Sequence, residues 1–500
     1  MPAAVILVLA LAVILRFVTR SDLWLDEAMS VNVARLPLGR FHSALRHDGS
    51  PPLYYLLLHG WIRLFGTGDL AVRSLSGVIG VVTLPVAWLC GRRIARTDEE
   101  RSWLPWIAVL VVASSPYAIR FSTETRMYGL EILLVLLGYL AVRAALERPR
   151  PANLLAVAAV TAALLYTQYW ALYLVAVVGA VLLGVSIRQK ANRAARAVFG
   201  AVVVGGLVFA PWLPTFVFQV RHTGTPWGRA VLPPTGAKDT FLEFAGSNTT
   251  EGWTLVLPLV LLALLAVFGR ALDGNRIELD VRTRPRVRGE ALVAFGTLAV
   301  GLSAAYLAGA AFQARYAAVM FGLFALVVAY GALTFARPGL RVGVLALVVA
   351  LGLVGGVRNA RDNRTQAVAS ARQIVAGAHP GDVVAYCPDQ TGPAVSRLLP
   401  ARIQVDQVVF PTFARPDRVD WVDYRRRNDT ADTAVFVQRL LSRAAGHDLW
   451  YVYSATTIYG TRCEDMLTAL ASARPVQRLV APDGAKYFEY MGLARFPPRP

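Results

Sequence analysis

The chain has 500 residues, of which 56% are hydrophobic and 17% charged, and its mean hydropathy is +0.48. A soluble protein of this length does not carry so many long apolar runs, so the composition predicts a polytopic membrane protein. The net charge of +19 would suit a nucleic-acid partner, but the basic residues fall in clusters between apolar segments, which argues against one.

A bilayer-crossing helix needs roughly 20 mostly apolar residues. About eleven stretches qualify, near 3–19, 69–90, 103–118, 127–146, 152–167, 170–187, 197–217, 253–269, 290–309, 316–335 and 341–357. The first begins almost at Met1, without a basic leader and without a small-x-small site before Asp26, and is read as a retained helix rather than a signal peptide. Basic clusters occupy alternate loops: Arg92, Arg93 and Arg96; Arg148 and Arg150; Arg188, Lys190, Arg193 and Arg196; Arg282, Arg284, Arg286 and Arg288; Arg337 and Arg341. The positive-inside rule puts those loops in the cytoplasm and the loop after the first helix outside. With eleven crossings the C-terminal portion is outside as well. Arg35, Arg40, Arg46, Arg221 and Arg229 on the other side make the bias incomplete.

The apolar signal stops near residue 357. Residues 1–357 are read as a transmembrane domain and 358–500 as a soluble one. In the tail, strand-like runs at 382–386, 402–405, 449–453 and 476–480 alternate with helical spacing over 364–378, 431–445 and 464–473, which predicts a small extracytoplasmic α/β domain. It reads equally as a cap over the membrane portion or as an acceptor-binding module. Three cysteines exclude a disulfide scaffold or a cysteine zinc cluster. Cys90 reads as an inert core residue. Cys387 ends a predicted strand and Cys463 opens a predicted helix on the side where oxidation is permitted, so a disulfide and two free thiols both stay open.

Charged groups beside membrane-embedded structure are costly to desolvate and are candidates for function. The first external loop holds Trp24-Leu25-Asp26-Glu27-Ala28 and then Asp48-Gly49-Ser50-Pro51-Pro52-Leu53-Tyr54-Tyr55. Further along come Ser115-Pro116-Tyr117-Ala118-Ile119-Arg120-Phe121-Ser122-Thr123-Glu124-Thr125-Arg126-Met127-Tyr128 and Gln313-Ala314-Arg315-Tyr316, both at predicted external helix ends.

These motifs, in this order on one predicted side, resemble the GT-C glycosyltransferases. The resemblance is to the protein O-mannosyltransferases, the lipid A aminoarabinose transferase and their bacterial relatives. It covers about the first 330 residues; the tail carries no such motif. The family's external loop often reads Asp-x-His-Pro-Pro-Leu-Tyr, and here Ser50 replaces the histidine. The resemblance implies an inverting transfer of a sugar, such as mannose or arabinofuranose, from a polyprenyl-phosphate donor. The acceptor would be an envelope glycan, lipid or protein at the outer face of the cytoplasmic membrane.

That chemistry assigns expected roles. A carboxylate beside the acceptor hydroxyl takes its proton as the oxygen attacks the anomeric carbon. Asp26 is the expected base because its family counterpart has that role, with Glu27 and Asp48 beside it as further catalytic candidates. The leaving phosphate needs cations, and Arg126, Arg315 and Arg120 are the candidates, since a guanidinium can give two parallel hydrogen bonds to phosphate oxygens. The bland reading is a solvated loop for the acids and snorkelling for the arginines. Glu124, Tyr54, Tyr55, Tyr128 and Tyr316 are expected to contact substrate. Tyr54, Tyr55, Trp61, Tyr166, Tyr169, Trp170 and Trp212 read individually as interfacial belt, and as a set as a sugar or prenyl platform. His42, His47 and His59 lack fixed ligand spacing, and the loss of histidine at Ser50 weakens a carried-over metal site. A divalent cation, Mg or Mn, held partly by the donor phosphate stays compatible with the sequence.

Two rival classes remain, a transporter and a non-catalytic membrane scaffold, and the scaffold would not require Asp26, Asp48, Glu124 and Arg126 on one face. A lipid or sugar transporter should show two related halves with matching broken helices, and no such repeat is visible. An oligosaccharide-transferring enzyme with a pyrophosphate-linked donor is the nearest enzymatic rival.

Overall fold

A computed structural model describes residues 3–189, 192–226, 228–272, 276–281, 287–454 and 460–498. Lys190, Arg282, Arg284 and Arg286, from two of the basic loops, lie outside the described residues.

All eleven apolar stretches are helical. Among the described residues, eight helices are long and apolar enough to cross a membrane: Asp69–Ile94, Tyr128–Glu147, Ala171–Arg188, Arg193–His222, Thr250–Phe268, Arg288–Leu307, Ala314–Thr334 and Pro338–Arg361. A ninth crossing is the pair Asp98–Ser114 and Pro116–Ser122, bent by 60°. Ala3–Leu15 and Pro151–Leu165 are apolar but have only 13 and 15 residues. They are shorter than the roughly 20 residues a straight crossing needs. The last membrane helix runs to Arg361, a turn beyond the boundary expected at 357.

The bend has a local cause. Proline has no N–H and disfavours helical backbone in the residue before it. Ser115 accordingly leaves the helix, and its hydroxyl accepts the N–H of Ala118 to start the next one. A β-carbon on Gly352 would lie 2.5 Å from the Ser114 carbonyl, so only glycine lets helix Pro338–Arg361 pass the break. The bend turns residues 120–128 back into the bundle end.

The two bundle ends differ in chemistry. Arg93 pairs with Glu147 at 2.7 Å and Arg341 with Glu99 at 2.8 Å at the end bearing the Arg-rich loops. The opposite end holds the 16–68 loop, built from helices Leu25–Ala34, Phe41–Asp48 and Leu53–Phe65. The polar tail docks on that loop: Trp421 N–H donates to the His47 carbonyl at 3.0 Å, and Arg397 pairs with Asp69 at 3.1 Å.

The first two strands, β1 (Gly269–Ala271) and β2 (Ile277–Leu279), form an exposed hairpin after helix Thr250–Phe268. The tail sheet has β3 (Val383–Cys387), β4 (Asp406–Val409), β5 (Leu449–Tyr453), β6 (Gln477–Val480) and β7 (Gly492–Phe496) in the order β4-β3-β5-β7-β6. β3 is parallel to β4 and β5, while β7 is antiparallel to β5 and β6. The strand expected at 402–405 is displaced. Gln404 has φ 46°, which breaks an extended run, and pairing with β3 starts at Asp406. β7 carries a glycine and an arginine and shows little strand signal, yet Leu493, Ala494 and Phe496 are buried. Cys387 and Cys463 form a disulfide with Cα atoms 5.6 Å apart, tying the end of β3 to helix Arg462–Ala473. Cys90 is free and buried.

Candidate active site

Asp26 sits in the first turn of helix Leu25–Ala34, where the helix dipole favours a carboxylate. Its Oδ2 lies 3.2 Å from Arg315 Nη1 and 4.0 Å from Arg126 Nε. All three side chains are largely shielded, between 11% and 19% exposed. Arg126 Nη1 also donates to Tyr55 Oη at 3.1 Å and to Ser30 Oγ at 3.3 Å. Tyr55 Oη in turn donates to Asp48 Oδ2 at 2.7 Å. The Nε groups of Arg126 and Arg315 are buried without a hydrogen-bond partner among the described residues. Buried donors of this kind are costly unless something accepts from them. Arg315 stacks within 6 Å of the rings of Trp24 and Tyr316. The loop after helix Ala3–Leu15, the bent 120–128 segment and the start of helix Ala314–Thr334 therefore converge on one carboxylate between two guanidiniums.

Glu27 has a different place from the catalytic one expected. Consecutive positions on a helix point about 100° apart, and Glu27 turns into the protein, fully buried. Arg73 grips it with Nε at 2.7 Å and Nη2 at 2.5 Å, and the Thr125 N–H donates at 2.9 Å. Burial alone would raise the Glu27 carboxyl. The Arg73 charge and hydrogen bonds, helped by Arg364 and Thr125, outweigh it and hold the group below its ordinary value. Glu27 is thus a structural anchor. It fixes the Asp26 helix to helix Asp69–Ile94 and to the 123–127 turn.

Three other expected contacts are engaged by the protein itself, although Arg120 Nε and Glu124 Oε1 are buried without a hydrogen-bond partner among the described residues. Arg120 Nη1 donates to Glu243 at 2.7 Å, so it braces helix Pro233–Phe244 and is not presented to a phosphate beside Asp26. Glu124 is buried and bound by Arg364 at 3.3 Å, with Arg120 at 3.9 Å. Burial, exceeding the pull of those arginines, pushes its carboxyl up. Tyr54 is fully buried, and its hydroxyl meets Ser76 at 2.8 Å. Tyr55, Tyr128 and Tyr316 do belong to the Asp26 cluster: Tyr55 through Arg126, Tyr316 beneath Arg315, and Tyr128 electrostatically next to both arginines and Asp26.

The histidines diverge. His42 meets Thr215, His47 meets Asp420 of the tail, and His59 meets the Ala34 carbonyl. A protein-held divalent cation needs several convergent oxygens. Here two guanidiniums flank Asp26, and Tyr55 and Arg126 stand between it and Asp48, so the donor set does not fit one. Among the described residues, one carboxylate–histidine group has ligand atoms close together: His379, Asp382 and Asp448 in the tail. Its acids are already spent, Asp382 on the N–H groups of His379, Asp448 and Trp450, and Asp448 on Arg495.

Sequence reasoning passed over Arg73, Arg364 and Glu489. Arg73 had a signal, an arginine near the outer end of a predicted span. Arg364 and Glu489 had none, because both arrive from the tail. The Glu489 carboxylate accepts the Leu25 N–H at 3.1 Å beside Asp26, and burial pushes its pKa up to about 8. Phe488 meets the Trp24 ring edge-on at 5.5 Å.

Residues 49–214 match the sequence family described as Dolichyl-phosphate-mannose-protein mannosyltransferase. The match stops short of Asp26 on one side and of Arg315 on the other. No curated protein matches the sequence. Among solved structures, ArnT from Cupriavidus metallidurans in the apo state is similar, with 16% identity, 99% of this chain and 98% of that chain covered, and a TM-score of 0.50. The same protein bound to undecaprenyl phosphate has 14% identity, the same coverage and a TM-score of 0.47. The Archaeoglobus fulgidus oligosaccharyltransferase, tethered with an acceptor peptide, has 9% identity over 98% of this chain and 74% of that chain, with a TM-score of 0.49. The whole chain has the GT-C fold of membrane glycosyltransferases.

Proposed function

We propose that this multi-pass GT-C-fold protein is an inverting glycosyltransferase that moves a sugar from a polyprenyl-phosphate donor to an envelope glycan, lipid or protein. The observation that carries the reading is Asp26 between Arg315 and Arg126, a base and two phosphate-binding cations in one shielded cluster. The name of the family matched over 49–214, which joins a lipid monophosphate donor to a protein acceptor, supports the donor class.

The donor phosphate takes up Arg126 and Arg315 through charge-assisted hydrogen bonds, including the unpartnered Nε groups. This frees the Asp26 carboxylate from both cations. The acceptor hydroxyl then attacks the anomeric carbon from the face opposite the phosphate. A C–O bond forms as the C–O bond to phosphate breaks, and Asp26 receives the hydroxyl proton. The negative charge developing on the phosphate is stabilised by the same guanidiniums. Tyr55, hydrogen-bonded to both Arg126 and Asp48, keeps Arg126 aimed. No step calls for a metal ion.

The Arg-rich loops at the opposite bundle end support an active site and a tail on the extracytoplasmic side. The purified protein should be incubated with polyprenyl-phosphate and polyprenyl-pyrophosphate sugars, and the products read by mass spectrometry. Release of polyprenyl phosphate with one sugar transferred is expected. Turnover of pyrophosphate-linked oligosaccharides alone would overturn the donor assignment, and no turnover of either would overturn the reaction.

A further inference from the structure

A half-open cavity of about 340 Å³ lies between helices of the bundle, away from Asp26. It runs beside helix Tyr128–Glu147 from Val135 to Leu146, about 16 Å at the α-helical rise. Protein interiors are close-packed, and a half-open pocket this large makes packing contacts along its lining only when a chain from outside enters it. An apolar pocket does not gain those contacts by taking up water. Its size and lining are those of a ligand site: mostly aliphatic walls with a few convergent polar groups.

The charged groups are all at one end, and towards the other the polar lining is the buried Thr161 hydroxyl alone. Val135, Leu164, Leu174 and Leu323 line the apolar part. At the end nearer the Arg-rich loops, Glu290 is buried and accepts from Tyr139 Oη on Oε1 at 3.2 Å. Arg143 Nη1 stays 4.0 Å from the same oxygen, a loose pair, and Arg143 Nε is buried without a hydrogen-bond partner. The rim thus offers one unsatisfied cation and one carboxylate whose Oε2 no described residue engages.

This order of side chains decides the occupant. A donor tail entering from Arg126 and Arg315 would run its hydrocarbon end into the Arg143–Glu290 pair. A phospholipid from the opposite leaflet, the one facing the Arg-rich loops, would enter with its chain towards Val135 and its head at the rim. We propose that this cavity binds one acyl chain of a zwitterionic phospholipid with a primary amine, its phosphate on Arg143 and its ammonium on Glu290. A quaternary ammonium cannot donate to Glu290, and an anionic head that takes up Arg143 leaves that carboxylate with the Tyr139 hydroxyl but no cation in a buried place. The site is separate from the transfer reaction, and lipid retention reads it without any turnover.

The full-length protein reconstituted with equal phosphatidylethanolamine, phosphatidylcholine and phosphatidylglycerol is the test, with retained lipid counted by native mass spectrometry. Wild type should keep one phosphatidylethanolamine, about tenfold enriched over each of the others, the scale of one charge-assisted hydrogen bond. Gly289 is exposed at the cavity rim beside Glu290, and a β-carbon there meets nothing within 4 Å, so Gly289→Leu narrows the rim without a clash and should lose the lipid. Glu290→Gln should keep a lipid but lose the preference for phosphatidylethanolamine over phosphatidylcholine. Equal retention of all three lipids, a preference for phosphatidylglycerol, or the same lipid on folded Gly289→Leu would each overturn the proposal.

Discussion

Glu489, in the last segment of the tail, accepts the backbone N–H of Leu25, the residue before Asp26, at 3.1 Å. The chain on either side of this contact is stitched to the same place: Glu489 N–H donates to the Arg364 carbonyl, and Arg364 binds Glu124. The C-terminal tail is therefore a wall of the Asp26 site, and its docking sets the entry of the helix that carries the proposed base.

Burial of the Glu489 carboxyl, with Asp26 and Glu27 nearby, outweighs that contact and carries a pH dependence. Glu489 titrates near 8 in the folded protein against an ordinary 4.5, so the folded state holds the proton more tightly. Its contribution to stability is greatest below 4.5 and is lost as pH rises through about 8. Hydrogen exchange of residues 25–34 should accelerate between pH 6 and 9 in wild type and stay flatter in Glu489→Gln. A wild-type rate that follows only the intrinsic base-catalysed increase would remove Glu489 as the cause.

Asp26→Asn should lower transfer by about 10²–10⁴-fold, the usual worth of a general base. Donor binding should hold or tighten, because asparagine no longer competes with phosphate for Arg315. Arg315→Ala should weaken donor binding first. Steady-state kinetics with a separate donor-binding measurement distinguish the two, and near-normal turnover in Asp26→Asn would transfer the base role to another acid.

Breaking the buried Glu27–Arg73 pair leaves an uncompensated charge, which typically costs about 3–5 kcal/mol. Glu27→Gln should therefore lower the unfolding temperature, with any activity loss following loss of folded protein. Because its folded pKa is depressed, the acid stabilises above 4.5, and that gain fades as pH falls through the lower folded value. A fully stable Glu27→Gln protein with no transfer would return Glu27 to the chemistry.

If the two arginines supply all the cationic help, exhaustive treatment with EDTA should leave the transfer rate unchanged. Restoration of a lost rate by Mg or Mn would show that the donor brings a cation with it.

Reporters placed after Gly49 and after Arg364 should both report the extracytoplasmic side. Opposite locations would break the proposed orientation, even though the hydrogen bonds between loop and tail require the two to share a side.

Much of the architecture is legible in one dimension because its causes are local. A membrane helix satisfies its own backbone and announces itself by about 20 apolar residues, so among the described residues nine of the eleven stretches fold as crossings where the hydropathy puts them, while Ala3–Leu15 and Pro151–Leu165 fold as shorter apolar helices. The bend at Ser115-Pro116 follows from proline, and Asp26, Arg126 and Arg315 each stand at the same predicted end of a span. The division of labour among the charges was not legible. Asp26 and Glu27 are neighbours of the same type, and only their helical phase, read against Arg73 46 positions away, makes one the centre of the site and the other its anchor. The same holds for Arg120 against Glu243, and for Arg364 and Glu489, whose partners lie hundreds of residues away in sequence. A charge is easy to see in a sequence, but its role depends on which opposite charge it meets after desolvation, and that is decided by the packing of distant elements.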